Sequence, residues 1–297
     1  MKIFVTGASG FIGGSLAEKL RDVGHEVCGL VRSPEKAEQL RQRGIEPIVG
    51  TLDDHAILQS AAKEADAVFN TASSDHRGAV EALVTSLEGS GKFLAHTSGS
   101  SVVCDDVRGE SENPRVFTDD ETIHPIPIRK ARVSIDRFIR EAGIYKSIRA
   151  VVVCPTMIYG VGRGLQKDSD QVPKLTARSK ERGIGLFIGK GLNRWSNCYI
   201  DDLTNLFLLT LEKAPAASFF FAENGEASLK EVAEAVSKSL GFGGRTESWN
   251  ADDAIKGYGD WARFALASNS RVRALNARRL GWSPAGPNLS KALEEGL

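Results

Sequence analysis

The chain has 297 residues, with 38 Lys plus Arg balancing 38 Asp plus Glu, 41% apolar and 26% charged residues. Such a composition belongs to a globular chain of one or two domains with a sizeable core. Zero net charge excludes the clustered basic excess that binding to phosphate backbones requires, so no nucleic-acid partner is expected. No run of about 18 apolar residues is present, which excludes a spanning helix and a membrane partner.

The opening Met1–Gly10 segment reaches glycines too early for a signal-peptide core and reads as a first strand, Lys2–Thr6. The periodicity then predicts a helix over Phe11–Asp22, a strand at Glu26–Val31, a polar helix over Pro34–Arg43 and a strand at Glu46–Val49. Helix Asp54–Lys63, strand Ala67–Asn70, helix Gly78–Leu87 and strand Lys92–Thr97 follow. A helix from about Ile128 to Ala142 leads into Ile148–Cys154, whose unbroken apolar run suits a buried central strand. Strands alternating with helices predict an α/β fold, a doubly wound parallel (Rossmann) sheet covered on both faces.

After Pro155 glycines and lysines cluster across Gly160–Gly191. Helix Asp202–Glu212, strand Ser218–Ala222 and helix Leu229–Leu240 come next, then a loop region at Gly241–Gly259. The expected division is a nucleotide-binding domain over residues 1–155 and a smaller C-terminal α/β substrate domain over 156–297, with about 195–222 returning to the first sheet.

Cys28, Cys104, Cys154 and Cys198 have no CxxC spacing, and Cys28 and Cys154 lie in strand-like runs. Buried free thiols and a reducing, cytoplasmic location are the expectation. The five histidines show no HxxxH or HExxH spacing, so no metal site is expected.

The strongest local signal is Thr6-Gly7-Ala8-Ser9-Gly10-Phe11-Ile12-Gly13, a GxxGxxG pattern between an apolar strand and a helix. Gly7 suits a tight turn, Gly10 a close backbone approach to a pyrophosphate, and Gly13 close packing of helix on strand. The helix N-terminus then offers free N–H groups and a positive dipole end. An acidic residue after the second strand would bond both ribose hydroxyls of NAD, but this chain has Arg32 and Ser33 there. A guanidinium fork suits a 2′-phosphate, so NADP(H) is the expected cofactor, with NAD(H) the alternative if Arg32 is only a solvated charge.

These residues, with later ones, resemble the extended branch of the short-chain dehydrogenase/reductase superfamily, the NAD(P)-dependent epimerases, dehydratases and reductases. The resemblance spans essentially the whole chain. Gly50-Thr51-Leu52-Asp53-Asp54 is similar to the branch's adenine-side GDL motif, and Asn70-Thr71-Ala72 to the segment beneath the ribose. Cys154-Pro155-Thr156-Met157-Ile158-Tyr159-Gly160 resembles its RPxxxYG segment. Trp195–Leu203 resembles its substrate-domain signature, and Leu280-Gly281-Trp282-Ser283-Pro284 its LGWxP tail. The resemblance implies cofactor contacts at Gly7, Ser9, Gly10, Phe11, Ile12, Gly13, Arg32, Ser33, Thr51, Leu52, Thr71, Ala72 and Ser73. Further along it implies contacts at Thr97, Arg132, Pro155 and Met157.

The family's chemistry uses a Ser/Thr, a tyrosine and a lysine, the last two as YxxxK on one helical face, where lysine lowers the tyrosine pKa and tyrosine moves the proton. Here Ile128 stands at the tyrosine position and Arg132 at the lysine position. The frame two residues earlier puts Lys130 at the lysine but Ile126 at the tyrosine, so neither supplies a phenol. The serine element survives as His96-Thr97-Ser98-Gly99-Ser100-Ser101. Ser98 and Ser100 are the candidate carbonyl-holding hydroxyls, and His124, four residues before Ile128, is the candidate replacement acid. Tyr159 is the weaker alternative.

The candidate pocket lining is Ser74, Ser98, Ser100, Met157, Tyr159, Gln171, Trp195 and Asn197. Arg163, Lys167, Lys174 and Arg178 either face an anionic substrate group or form a solvated basic face. Trp249, Tyr258, Trp261 and Phe264 read as core or interface. The expected function is an NADP(H)-dependent oxidoreductase that moves hydride to or from a small carbonyl, imine or sugar-like substrate. The alternatives are a non-catalytic NAD(P)-binding sensor and a redox-neutral epimerase or dehydratase. A homodimer through two helices of the nucleotide domain is common in the superfamily and is the partner expectation.

Overall fold

The computed structural model describes residues 1–296. Seven strands form one parallel sheet: β1 Lys2–Thr6, β2 Glu26–Val31, β3 Glu46–Val49, β4 Ala67–Asn70, β5 Phe93–Thr97, β7 Arg149–Pro155 and β11 Phe219–Ala222. Their order is β11-β7-β5-β4-β1-β2-β3. Helices α1 Phe11–Asp22, α2 Pro34–Gln42, α3 His55–Glu64, α4 Arg77–Leu87, α5 Lys130–Tyr145 and α7 Ile200–Lys213 flank it. The strand order runs one way from β1 to β3 and then restarts at β4 on the other side of β1. Loops at the carboxyl ends of β1 and β4 therefore face each other across the switch point, where such sheets bind ligands. Burial on both faces explains the continuous apolar strands: Ile3, Phe4, Val5, Val68, Phe69 and Val151 are fully buried.

The remaining strands form smaller sheets. β8 Met157–Tyr159 pairs in parallel with β10 Arg194–Tyr199, which pairs antiparallel with β12 Gly225–Ser228. β9 Gly185–Ile188 pairs with β13 Thr246–Trp249, and the two-residue β6 Phe117–Thr118 pairs with β14 Val272–Arg273. With α6 Gln171–Arg182, α8 Leu229–Ser239, α9 Ala251–Trp261 and α11 Leu289–Glu295, the second and third sheets enclose a separate core. Met157, Leu175, Leu186, Trp195 and Val236 belong to it.

Two stretches differ from the sequence expectation. Of the segment expected to return to the main sheet, 195–199 lies in β10 of the small sheet, while α7 and β11 do return. The tail returns as well: α10 Leu275–Leu280 packs on β11, and Trp282 donates its indole N–H to the Asp202 carbonyl at 2.9 Å. The expected loop at 241–259 contains β13 and α9. Asn250 caps α9 by accepting from the Asp252 and Asp253 N–H groups, and the Trp249 and Tyr258 rings meet edge-on at 5.5 Å. Gly257 is accommodated within the helix, whereas Gly259, at φ +59°, kinks it. Among the described residues no helix is long and apolar enough to cross a membrane.

Candidate active site

The loop after β1 has the geometry its glycines predict. Gly7 sits at φ +72°, and a Cβ there would lie 2.8 Å from the Ala72 Cα. A Cβ on Gly13 would fall 2.3 Å from the Thr71 hydroxyl and 2.4 Å from the Gly7 carbonyl, so α1 approaches β4 only with glycine there. A Cβ on Gly10 would meet only the Gly7 carbonyl, at 3.2 Å, which leaves an open cradle in front of the loop. Gly10 caps α1 without a side chain, so the first-turn N–H groups are free for an anion.

Two adjoining cavities share Gly10, Thr71, Ala72 and Gln166. The first, about 350 Å³, runs over Gly7, Ser9, Leu30, Arg32, Lys36, Thr51, Leu52 and Ser73, and its lining holds no carboxylate. The second, about 280 Å³, continues past Phe11, Ile12 and Gly13 to Thr156, Ile158, Asp170 and Gln171. Together they form a groove of the kind a dinucleotide fits: cations at one end, glycine backbone in the middle and the carboxyl end of β7 beyond. Lys36 is a lining residue that sequence reading missed, and Gln166 belongs to the stretch 166–174 that the resemblance assigns to substrate contact. A larger cavity of about 470 Å³ opens on Tyr159, Val172, Thr176 and Leu293 and contains no cofactor-loop residue. Ile158 and Tyr159 alternate on β8, so the two cavities lie on opposite faces of that strand.

Several expected contacts lie outside the groove. Ser33 caps α2, accepting from the Lys36 N–H at 3.3 Å. Pro155 ends β7, Met157 is buried in the second core, and the buried Thr97 hydroxyl has no hydrogen-bond partner. Arg132 is held by a two-pronged pair with Asp75, at 2.8 and 2.5 Å, and donates to the Ser101 hydroxyl at 3.1 Å. The guanidinium holds the Asp75 carboxyl below the usual carboxylate range.

Behind this pair lies a buried polar network. Thr6 Oγ1 accepts from the Thr71 and Ala72 N–H groups at 3.1 and 3.2 Å, so its own proton goes to Asn70 Oδ1 at 2.7 Å. Asn70 Nδ2 then faces His96 Nδ1 at 3.0 Å, which places the ring proton on Nε2. That nitrogen faces Asp136 Oδ1 at 3.9 Å, and Asp136 Oδ2 accepts the Ser98 hydroxyl at 2.7 Å. Burial, with the Arg132 charge, pulls His96 down to about 4 and keeps the ring neutral. Burial pushes Asp136 up to about 7, against the opposing pull of the Ser98 hydroxyl and Arg132. The Cys154 thiol is raised well above its ordinary value by the same burial. Asp136 lies in the buried stripe of α5 with Val133 and Ile139, and an acid in an apolar stripe is the sequence signal that could have found it.

The other candidates separate. Ser100 is tied to the Ser270 hydroxyl at 2.9 Å, which fastens the turn after β5 to the tail. His124 is exposed and lines neither cavity of the groove, and Ile128 is 41% exposed on the turn before α5. The Tyr159 hydroxyl donates to the Pro287 carbonyl at 2.7 Å, and the Trp195 indole donates to the Ser268 carbonyl at 2.7 Å. Both side chains therefore fasten the small layer. Arg163 pairs with Asp201 at 2.8 Å, Lys174 with Asp170, and Arg178 with Glu181 at 2.5 Å, as on a solvated face. All four cysteines are free and buried.

Residues 7–126 match a family described as NAD(P)H-binding, and residues 79–219 match the NAD dependent epimerase/dehydratase family. The chain is 34% identical to the oxidase ucsJ of an Acremonium species, over 99% of this chain and 95% of that one. It is 25% identical to a 4-hydroxy-2-methyl-3-oxo-4-farnesyl-3,4-dihydroquinoline-1-oxide ketoreductase of Stigmatella aurantiaca, over 76% and 69%. In fold it is similar to the dTDP-glucose 4,6-dehydratase of Bacillus anthracis in complex with NAD, with TM-score 0.78 and 17% identity over 99% and 94% of the two chains.

Proposed function

The chain belongs to the NAD(P)-dependent epimerase/dehydratase family, the extended short-chain dehydrogenases/reductases, and is a nicotinamide-dependent oxidoreductase; from that premise we propose that it uses NADP(H) to reduce a carbonyl, or to oxidise the corresponding alcohol, of a small molecule. One observation carries the cofactor preference. The adenosine end of the groove presents Arg32 and Lys36 and lacks the carboxylate that would hold two ribose hydroxyls. Carbonyl chemistry is favoured by the ketoreductase relative.

The residues fit the cofactor. The free N–H groups of Phe11 and Ile12 would hold the pyrophosphate, Arg32 and Lys36 the 2′-phosphate, and Thr71–Ser73 a ribose. When bound, the cofactor supplies a hydride donor or acceptor. Ser98 stands just past β5 at the carboxyl edge of the sheet; it is buried and lines neither cavity of the groove, and its hydroxyl, which donates to Asp136, would hold a carbonyl oxygen only by turning that proton toward it. Arg132, fixed by Asp75, supplies positive charge in the position of the family's lysine. Gln171 and Thr156 line the far end of the groove.

The test is oxidation of NADPH against a panel of ketones, with NADH in parallel. Turnover that prefers NADPH and falls at least tenfold in Ser98→Ala supports the reading. Dinucleotide retained through purification, with no net redox turnover, would favour redox-neutral chemistry instead. Binding without any turnover would favour the sensor.

A further inference from the structure

Asp136 is shared by two surroundings. On one side its Oδ2 accepts the Ser98 hydroxyl at 2.7 Å. Its Oδ1 has no hydrogen-bond partner among the described residues, and neither has His96 Nε2, which faces it at 3.9 Å. On the other side Asp136 lines a cavity of about 190 Å³ with Asp119, Thr122, Arg137, Arg140 and Phe219. That volume holds several waters, and its polar walls can hydrogen-bond them. Asp136 thus stands between this cavity and the hydroxyl at the carboxyl end of β5.

We propose that Asp136 is the proton store of the active site, exchanging protons with water in this cavity and passing them through the Ser98 hydroxyl to the substrate oxygen. This rests on the reductase reading above, and it answers the loss of the phenol at Ile128. In the reducing direction the carbonyl carbon takes the hydride pair from the dihydronicotinamide, and the carbonyl oxygen takes the Ser98 proton. The Ser98 oxygen recovers a proton from the Asp136 carboxylic acid, and the resulting carboxylate is reprotonated from cavity water. The products are the alcohol and the oxidised cofactor, and one solvent proton is consumed. Asp136 acts through Ser98 and is a positioning residue.

The charges facing Asp136 are Arg132 and Arg140, one turn away on either side along α5, and Asp75 from the loop after β4. His96 faces it from β5 and Cys154 from β7, while Asp119 and Glu121 line the cavity from the segment around β6 and Arg137 lines it from α5 itself. Burial outweighs the two arginines and lifts the carboxyl to about 7, so it holds and releases a proton near neutrality.

The experiment is an infrared titration of the full chain labelled with ¹³C-aspartate and free of cofactor, joined to pH profiles of turnover. One aspartic acid carboxyl is expected to lose its proton close to pH 7, and that band is absent in Asp136→Asn. If Asp136→Asn does not fold, Asp136→Glu removes the residue from the label and assigns the band equally well. Ser98→Ala is expected to move the same band to higher pH, because the carboxylate loses a donor. In turnover, kcat is expected to fall as pH rises through the Asp136 value. Asp136→Asn is expected to lower kcat at least tenfold and abolish that limb with the NADPH KM unchanged, while Asp136→Glu retains a shifted limb. All aspartates titrating in the ordinary range near pH 4, or an unchanged pH profile in Asp136→Asn, would overturn the proposal and leave the reductase reading standing. Wild-type protein that binds but never oxidises NADPH would overturn the reductase reading and with it the substrate step, and the titration alone then decides whether Asp136 stores a proton.

Discussion

The adenosine end of the groove is made of backbone and two cations, whereas the polar network behind the Arg132–Asp75 pair, outside the groove lining, is made of side chains brought together from distant elements. Gly7, Gly10 and Gly13 act through what they lack, and each can be placed from a seven-residue window. Ser98, His96, Asn70, Arg132 and Asp136 act only in combination, across β4, β5 and α5. Dinucleotide recognition is thus local in the sequence, while the proton chemistry depends on tertiary packing. Substitutions at the first end should change binding, and those at the second should change pH dependence and turnover.

The largest effect should come from Gly13→Val. Its side chain would collide with the Gly7 carbonyl and the Thr71 hydroxyl. A loss of at least about 3 kcal/mol in stability, with dinucleotide affinity reduced more than roughly 100-fold, is expected from calorimetry and thermal melting. Wild-type affinity in this variant would mean that α1 does not pack as described.

Next come the opposed titrations at the other end. The folded-state value of Asp136, about 7, lies above its unfolded value, so its contribution is complete below roughly pH 4 and is lost as pH rises through 7. His96, at about 4, lies below its unfolded value, so its contribution is complete above roughly pH 6.5 and is lost as pH falls through 4. The two slopes oppose each other between those limits, and the wild-type stability curve should be nearly flat there. Urea unfolding of His96→Gln should show stability falling by about 2–3 kcal/mol from pH 4 to 7. Asp136→Asn should show the reverse slope, with stability falling on acidification. Curves parallel to wild type in both variants would remove the network from the account.

A smaller change is expected from Arg32→Asp, which should weaken NADP(H) by about 2 kcal/mol while sparing or improving NAD(H), since charge-assisted contacts to one phosphate are worth that much. The smallest should come from Lys174→Ala and Arg178→Ala. Their exposed pairs with Asp170 and Glu181 should be worth less than about 0.5 kcal/mol, and substrate KM should not move. A tenfold rise in KM would put an anionic substrate group against α6.

What was legible in the sequence follows the same division. Phe11–Asp22, Glu26–Val31 and Ala67–Asn70 form as their periodicity predicts, because strand, turn and helix there are each fixed by neighbouring residues. Arg32 and Thr51 line the groove because they lie one and two residues past the ends of β2 and β3. The part of α9 within 241–259 reads as loop because its stability comes from the Asn250 cap and from Trp249 meeting Tyr258. Ser100, Tyr159 and Trp195 read as pocket residues because their types suit chemistry, yet each spends its polar atom on Ser270, Pro287 or Ser268. Those partners lie at least 73 positions away in the chain, beyond the reach of a local pattern. Asp136 was visible only as an acid in an apolar helical stripe, since its partner Ser98 is 38 positions away.

Calorimetric titration of the wild-type chain and Arg32→Asp with NADP(H) and NAD(H) probes the groove itself. The groove described here predicts that NADP(H) binds the wild type at least tenfold more tightly than NAD(H) and that Arg32→Asp abolishes this preference. Equal affinities in the wild type, or a preference that survives Arg32→Asp, would contradict it.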